Sequence, residues 1–133
     1  ATRFWSLGAR TQWGPLVLIS QGMVGETIFL PRPTIVSDTK FQSAFLLASY
    51  DLANWRFSAR GDVFQTRHVA AAPSPLSADG QALTASVSWS GYTWLRLTAE
   101  ASHMHTRRGE YGTAGLSDAR NDTQLQLDCR LFL

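Results

Sequence analysis

Apolar and polar residues take turns along most of this chain. Between Trp55 and Val63 the odd positions are Trp55, Phe57, Ala59, Gly61 and Val63, with Arg56, Ser58, Arg60 and Asp62 between them. Leu83, Ala85, Val87 and Trp89 alternate with Thr84, Ser86, Ser88 and Ser90, and Leu95, Leu97, Ala99 and Ala101 with Arg96, Thr98, Glu100 and Ser102. The last twelve residues, "DTQLQLDCRLFL", set Leu125, Leu127, Cys129, Leu131 and Leu133 against Gln124, Gln126, Asp128 and Arg130. A period of two is that of an extended strand with one apolar and one polar face. Such segments predict about seven strands, near residues 3–12, 15–28, 41–52, 55–67, 81–91, 94–106 and 122–133, and helix signals are nearly absent. The second and third strands are less regular, because "PLVLI" and "AFLLA" are apolar on both faces.

The connections sort by length. "WGP", "LAN" and "SGYT" are tight, and between them fall "PRPTIVSDTK", "VAAAPSPLSADGQ" and "RRGEYGTAGLSDARN", long and rich in Pro, Gly, Ser and Asp. Strict alternation of short and long predicts an antiparallel up-and-down meander with all tight turns at one end. Outer-membrane barrels show that asymmetry. The tight-turn end also collects aromatic rings: Trp13, Trp55, Tyr92, Trp94 and Phe132. Trp and Tyr favour the level of lipid headgroups, where the ring is in apolar surroundings and its N–H or O–H stays hydrated. Phe29 and Phe41 are the candidates for the opposite rim.

Composition sharpens this picture. The chain of 133 residues is one domain's worth, 44% hydrophobic, with 12 basic and 10 acidic residues and no charge block. It is a folding sequence with no signature of nucleic-acid binding. No apolar run approaches the roughly 20 residues of a membrane helix, which leaves β spanning open. The opening "ATRFWSLGAR" has neither the basic nor the long apolar region of a secretory leader. The single cysteine, Cys129, permits no internal disulfide and reads as a small hydrophobe. There is one lysine, Lys40, which this reading places in a long loop; the polar face is otherwise Arg, Ser, Thr and Gln with occasional carboxylates. Lysine is the usual guard of water-facing sheets, so its scarcity favours an enclosed aqueous lumen.

Arg10, Arg56, Arg96 and Arg130 all fall on the polar face near the tight turns, with Arg60, Asp62, Glu100 and Asp128 further in, within reach of the basic band from neighbouring strands. Two readings stay open: a basic constriction that favours anions, or a network that braces the wall. No metal site, cofactor or catalytic group is expected. His103 and His105 share a face without a third ligand, His68 lies on another strand, and no nucleophile motif or phosphate loop is present.

The stretches "WSLGARTQWGPLVLISQGMVGET", "FQSAFLLASYDLANWRFSARGDVFQTR", "ALTASVSWSGYTWLRLTAEASHM" and "TQLQLDCRLFL" resemble the C-terminal part of porin-like outer-membrane proteins of Gram-negative bacteria, of the porin O/P kind. The resemblance implies that residues 1–133 are one segment, the C-terminal portion of a larger transmembrane β-barrel, since single-chain bacterial barrels close on an even strand number. It further implies outer-membrane localisation, passive diffusion of small hydrophilic solutes, and a terminal strand read by the barrel-assembly machinery, although Leu133 stands where such strands usually end in Phe. The bilayer, small solutes and copies of itself are the expected partners. The rival reading is a soluble secreted β-sandwich or binding module, with Trp5, Trp55, Trp89 and Trp94 packing a core or stacking a carbohydrate.

Overall fold

A computed structural model of the chain describes residues 1–32, 35–68, 77–108 and 119–132. Seven strands follow in order: β1 (Thr2–Trp13), β2 (Leu16–Arg32), β3 (Ile35–Leu52), β4 (Trp55–His68), β5 (Ala78–Tyr92), β6 (Leu95–Arg108) and β7 (Ala119–Leu131). Each pairs antiparallel with the next in one sheet of order β1 to β7. The fold is all-β and an up-and-down meander, as the alternation predicts. The sheet is open and not closed into a barrel, with β1 and β7 as its edges.

Three two-residue turns join strand pairs at one end: Gly14–Pro15, Ala53–Asn54 and Thr93–Trp94. Gly14 has φ of 54°, a left-handed value that suits the first central position of a tight hairpin, and Pro15 follows with its fixed negative φ. Ala53 holds φ of 50° without being glycine, so this turn stores strain. Beyond each turn the ladder continues, as in Asp51 N–H donating to the Pro15 carbonyl at 3.0 Å and Ser90 N–H to that of Asn54 at 2.8 Å.

One expected loop is mostly ladder. The Pro-rich sequence "PRPTIVSDTK" predicts a connection, yet β2 runs to Arg32 and β3 starts at Ile35, with a register irregularity between Phe29 and Arg32. Lys40 therefore stands on β3, opposite Glu26 and Arg67, and not in a loop. β-branched Ile28, Ile35, Val36 and Thr39 supply the strand preference that the flanking prolines obscure. The central parts of the other two expected loops, 69–76 and 109–118, lie outside the described residues.

No residue with a described side chain is buried, apolar or polar. The accessible surface is 10007 Å², whereas a compact monomer of this size exposes roughly 6,900 Å². A single layer has no second layer to bury its apolar face against, and this sheet is stable only where something else covers it.

Candidate functional site

Register assigns every side chain to a face, because directly paired residues point the same way. One rung of the apolar face reads Thr11, Leu18, Ala48, Ala59, Ala85, Ala101 and Leu125 from β1 to β7. The apolar stretch spans Trp5 to Trp13 on β1, Ala44 to Leu52 on β3, Trp55 to Val63 on β4 and Leu125 to Leu131 on β7. It does not follow the rungs. The rung through Leu125, at the inner limit on β7, reaches β1 at Thr11, six residues short of the limit at Trp5. At the turn end, the outermost rung on β7 is that of Leu131, two rungs, or four residues, beyond that of Trp13 on β1.

The apolar band thus crosses the sheet obliquely. At about 3.4 Å per residue and about 4.8 Å per strand, a drift of four to six residues over six strand intervals is a tilt of about 25–35°. Eight residue steps from Trp55 to Val63 give the band a height of about 22–25 Å across that tilt.

Both limits of the band are marked. At the tight turns Trp55, Trp89, Tyr92 and Trp94 form a chain of rings, with centroids 6.4, 5.8 and 5.3 Å apart, and Phe57 stacks on Trp55 at 6.3 Å. At the other limit the same face turns polar. Arg3, Glu26, Lys40 and Arg67 share a rung, and Gln42, Gln65, Asp79 and Arg107 share the one before it. His103 and His105 also lie there, on β6, with Nδ1 atoms 2.9 Å from Thr123 Oγ1 and 2.6 Å from Asn121 Oδ1. Among the described residues no three His, Cys, Asp or Glu side chains gather as a metal site. Of the two aromatics proposed for this rim, Phe41 points to the polar face and lies across Gly25, and the side chain of Phe29 is outside the described residues.

The polar face carries all eight residues singled out from the sequence: Arg10, Arg56, Arg60, Asp62, Arg96, Glu100, Asp128 and Arg130. Arg96 and Arg130 are directly opposite each other, and Arg56 is one rung further in. Arg10 is on the rung of Arg60, three strands away. The ion pairs differ from the expected cross-strand pattern. Arg60 grips Asp62 at 2.6 Å and Arg130 meets Asp128 at 2.9 Å, each two residues along its own strand, because an extended strand returns to the same face every second residue. The cross-strand pair is one the sequence reading missed, Arg56 with Asp51, whose two oxygens it holds at 2.6 and 2.9 Å. The spacing was available: a two-residue turn at Ala53–Asn54 sets Asp51 opposite Arg56. Arg120 and Asp122 form a fourth pair, 2.9 Å apart.

Glu100 and Arg10 join no ion pair among the described residues, and Arg96 donates to Ser90 Oγ at 3.3 Å while lying 5.6 Å from the Phe132 ring centroid. Four of the arginines on this face are therefore neutralised, and Arg10 and Arg96 keep an uncompensated charge. Hydroxyl pairs, Ser49 with Ser58 and Ser88 with Thr98, each 2.9 Å apart, lie on the same face. On β2 and β3 this face is apolar, with Ile19, Leu47 and Phe45 half-buried and the Arg60 guanidinium 4.3 Å over the Phe45 ring.

The apolar face holds shallow troughs. One of about 890 Å³ has Ala48, Ala59, Ala85 and Ala101 as its floor, with Tyr50, Phe57 and Leu127 beside them. The edge strands are the most exposed of all: Leu125 79%, Leu127 85%, Trp5 83% and Leu7 83%. No protein family, curated protein or solved structure matches the chain.

Proposed function

We propose that the sheet is a wall segment of an outer-membrane, porin-like β-barrel through which small hydrophilic solutes diffuse passively. The observation that carries this reading is the oblique apolar band. Its height of about 22–25 Å is close to the roughly 25 Å lipid-facing band of outer-membrane barrels, and its tilt of about 25–35° meets the lower end of their strand tilt. The ring chain at one limit and the charged collar at the other are the sequence of environments met on leaving hydrocarbon for headgroups and water. The opposite face, with paired arginines, hydroxyls and no lysine, suits a narrow aqueous lumen.

The open edges support a segment of a larger wall. β1 and β7 carry no lysine or proline, the usual guards of a free edge, and both present their largest apolar side chains almost bare. Neighbouring strands on both sides complete the surface. The lumen charge is a bias and not a barrier: Arg10 and Arg96, set against Glu100, favour anions modestly.

A second reading has one observation in its favour. The alanine-floored trough can seat the side chains of another protein layer, as in a soluble sandwich. Insertion into vesicles separates the two. A protein that co-floats with liposomes and gives ohmic conductance with a reversal potential of anion-favouring sign supports the porin reading; a folded protein that stays in detergent-free buffer contradicts it.

A further inference from the structure

Lys40 and Arg67 stand directly opposite each other on β3 and β4. Like charges in that position repel and destabilise a ladder, so the arrangement calls for an anion. Neither makes an ion pair or hydrogen bond among the described residues, although Glu26 lies beside Lys40 in the register. With Arg3 at the far side of Glu26, the rung has three cations and one carboxylate. The polar face treats its charges otherwise, since four of its arginines sit against an aspartate.

A small cavity of about 230 Å³ opens between Lys40 and Arg67, bounded also by Phe41, Gln42 and Gln65. Gln42 Nε2 donates to Gln65 Oε1 at 2.8 Å and so ties the floor of the notch across the two strands. Its place in the fold decides what can fill it. The notch is on the apolar face, one rung beyond the glutamines and two beyond Ala44 and Val63, where the apolar band ends. A ligand there has its charge on Lys40 and Arg67 and its apolar part against Ala44, Leu46 and Val63.

The geometry points to a binding site for the phosphate of an anionic lipid headgroup, held between Lys40 and Arg67 with its acyl chains along the band below. This rests on the reading of the apolar face as lipid-facing, and it adds a specific lipid site on the outside of the wall, on the opposite side of the sheet from the solute path. Lysine acts here as a compact point charge and arginine as a planar fork, two donors that suit phosphate oxygens from two directions.

Neutral-detergent micelles doped equally with phosphatidic acid and phosphatidylcholine, with bound lipid counted by native mass spectrometry, test the site. The protein is expected to retain phosphatidic acid over phosphatidylcholine by about thirtyfold, the scale that two cations at an anionic lipid surface provide. Lys40→Gln with Arg67→Gln is expected to bring the two lipids near parity, and Lys40→Arg with Arg67→Lys to keep the preference, which separates loss of charge from loss of fold. An unchanged preference in the double glutamine variant overturns the site, as does displacement of the lipid by inorganic phosphate at low millimolar concentration. Protein that never enters micelles overturns the lipid-facing reading itself; protein that enters but shows no preference overturns only the headgroup site.

Discussion

Arg56 reaches across the β3–β4 ladder and holds both oxygens of Asp51, at 2.6 and 2.9 Å, one residue from the turn that joins the strands. A planar guanidinium on a carboxylate fixes geometry as well as charge. The pair is solvent-exposed, so its contribution to stability is small. Its electrostatic role is larger: it cancels one cation at the mouth of the proposed lumen. Asp51→Asn is expected to leave the urea midpoint nearly unchanged and to move the reversal potential toward stronger anion preference. A shift toward cations would contradict the proposed path.

The unpaired cations make a complementary case. Arg10 and Arg96 have no carboxylate within ion-pair distance among the described residues, whereas Arg60 is neutralised by Asp62. Arg10→Gln with Arg96→Gln is expected to abolish most of the anion preference, measured as reversal potential under a salt gradient. Arg60→Gln with Asp62→Asn, which removes a neutral pair, is expected to leave it within error. Equal effects from both double variants would show that pairing does not set the bias.

Glycine positions on one strand predict opposite outcomes. A Cβ on Gly25 would stand 2.6 Å from the Arg3 carbonyl oxygen and 2.5 Å from Phe41 Cζ, and backbone cannot yield as a side-chain tip can. At Gly22 nothing lies within 4 Å. Gly25→Ala is therefore expected to cost about 1–3 kcal/mol by overpacking. Gly22→Ala is expected to be neutral or to stabilise by up to about 1 kcal/mol through lost chain freedom in the unfolded state. Urea titrations of the two variants under identical conditions give the comparison.

The Ala53 turn offers a gain. A left-handed alanine costs about 1–2 kcal/mol, and glycine at the same place gives back about 0.5–1 kcal/mol in backbone entropy. Ala53→Gly is expected to stabilise the fold by about 0.5–1 kcal/mol, seen as a raised unfolding midpoint with an unchanged slope. Ala53→Val should do the reverse, since a β-branched side chain is worse in that conformation.

Period two and turn spacing were enough to read the meander, because alternation and tight turns are local and act within a dozen residues. The faces of β4 to β7 were legible for the same reason. Lys40 was not, since the prolines at 31 and 33 looked like loop punctuation while the strand preference of Ile35, Val36 and Thr39 was set within a longer hairpin. The ion-pair geometry was half legible: Arg60 with Asp62 follows from one strand, but Asp51 with Arg56 needed the turn length, and the isolation of Glu100 needed the register of three strands. The oblique band and the Lys40–Arg67 notch depend on how all strands slip past one another, which no single segment encodes. Register is the quantity that pairing, not propensity, decides.

The lone cysteine supplies the most direct measurement. Cys129 is exposed on the apolar face of β7, between Leu127 and Leu131, and an existing thiol can carry a nitroxide without removing any other. With the protein in phospholipid vesicles, the label at Cys129 is expected to collide readily with molecular oxygen and hardly with a polar nickel chelate. A label at Gln126→Cys in a Cys129→Ala background, one strand position set on the polar face, is expected to show the reverse. A Cys129 label that is immobile and closed to both reagents, as inside a packed protein core, or open to the nickel chelate, as in water, would contradict the lipid-facing band.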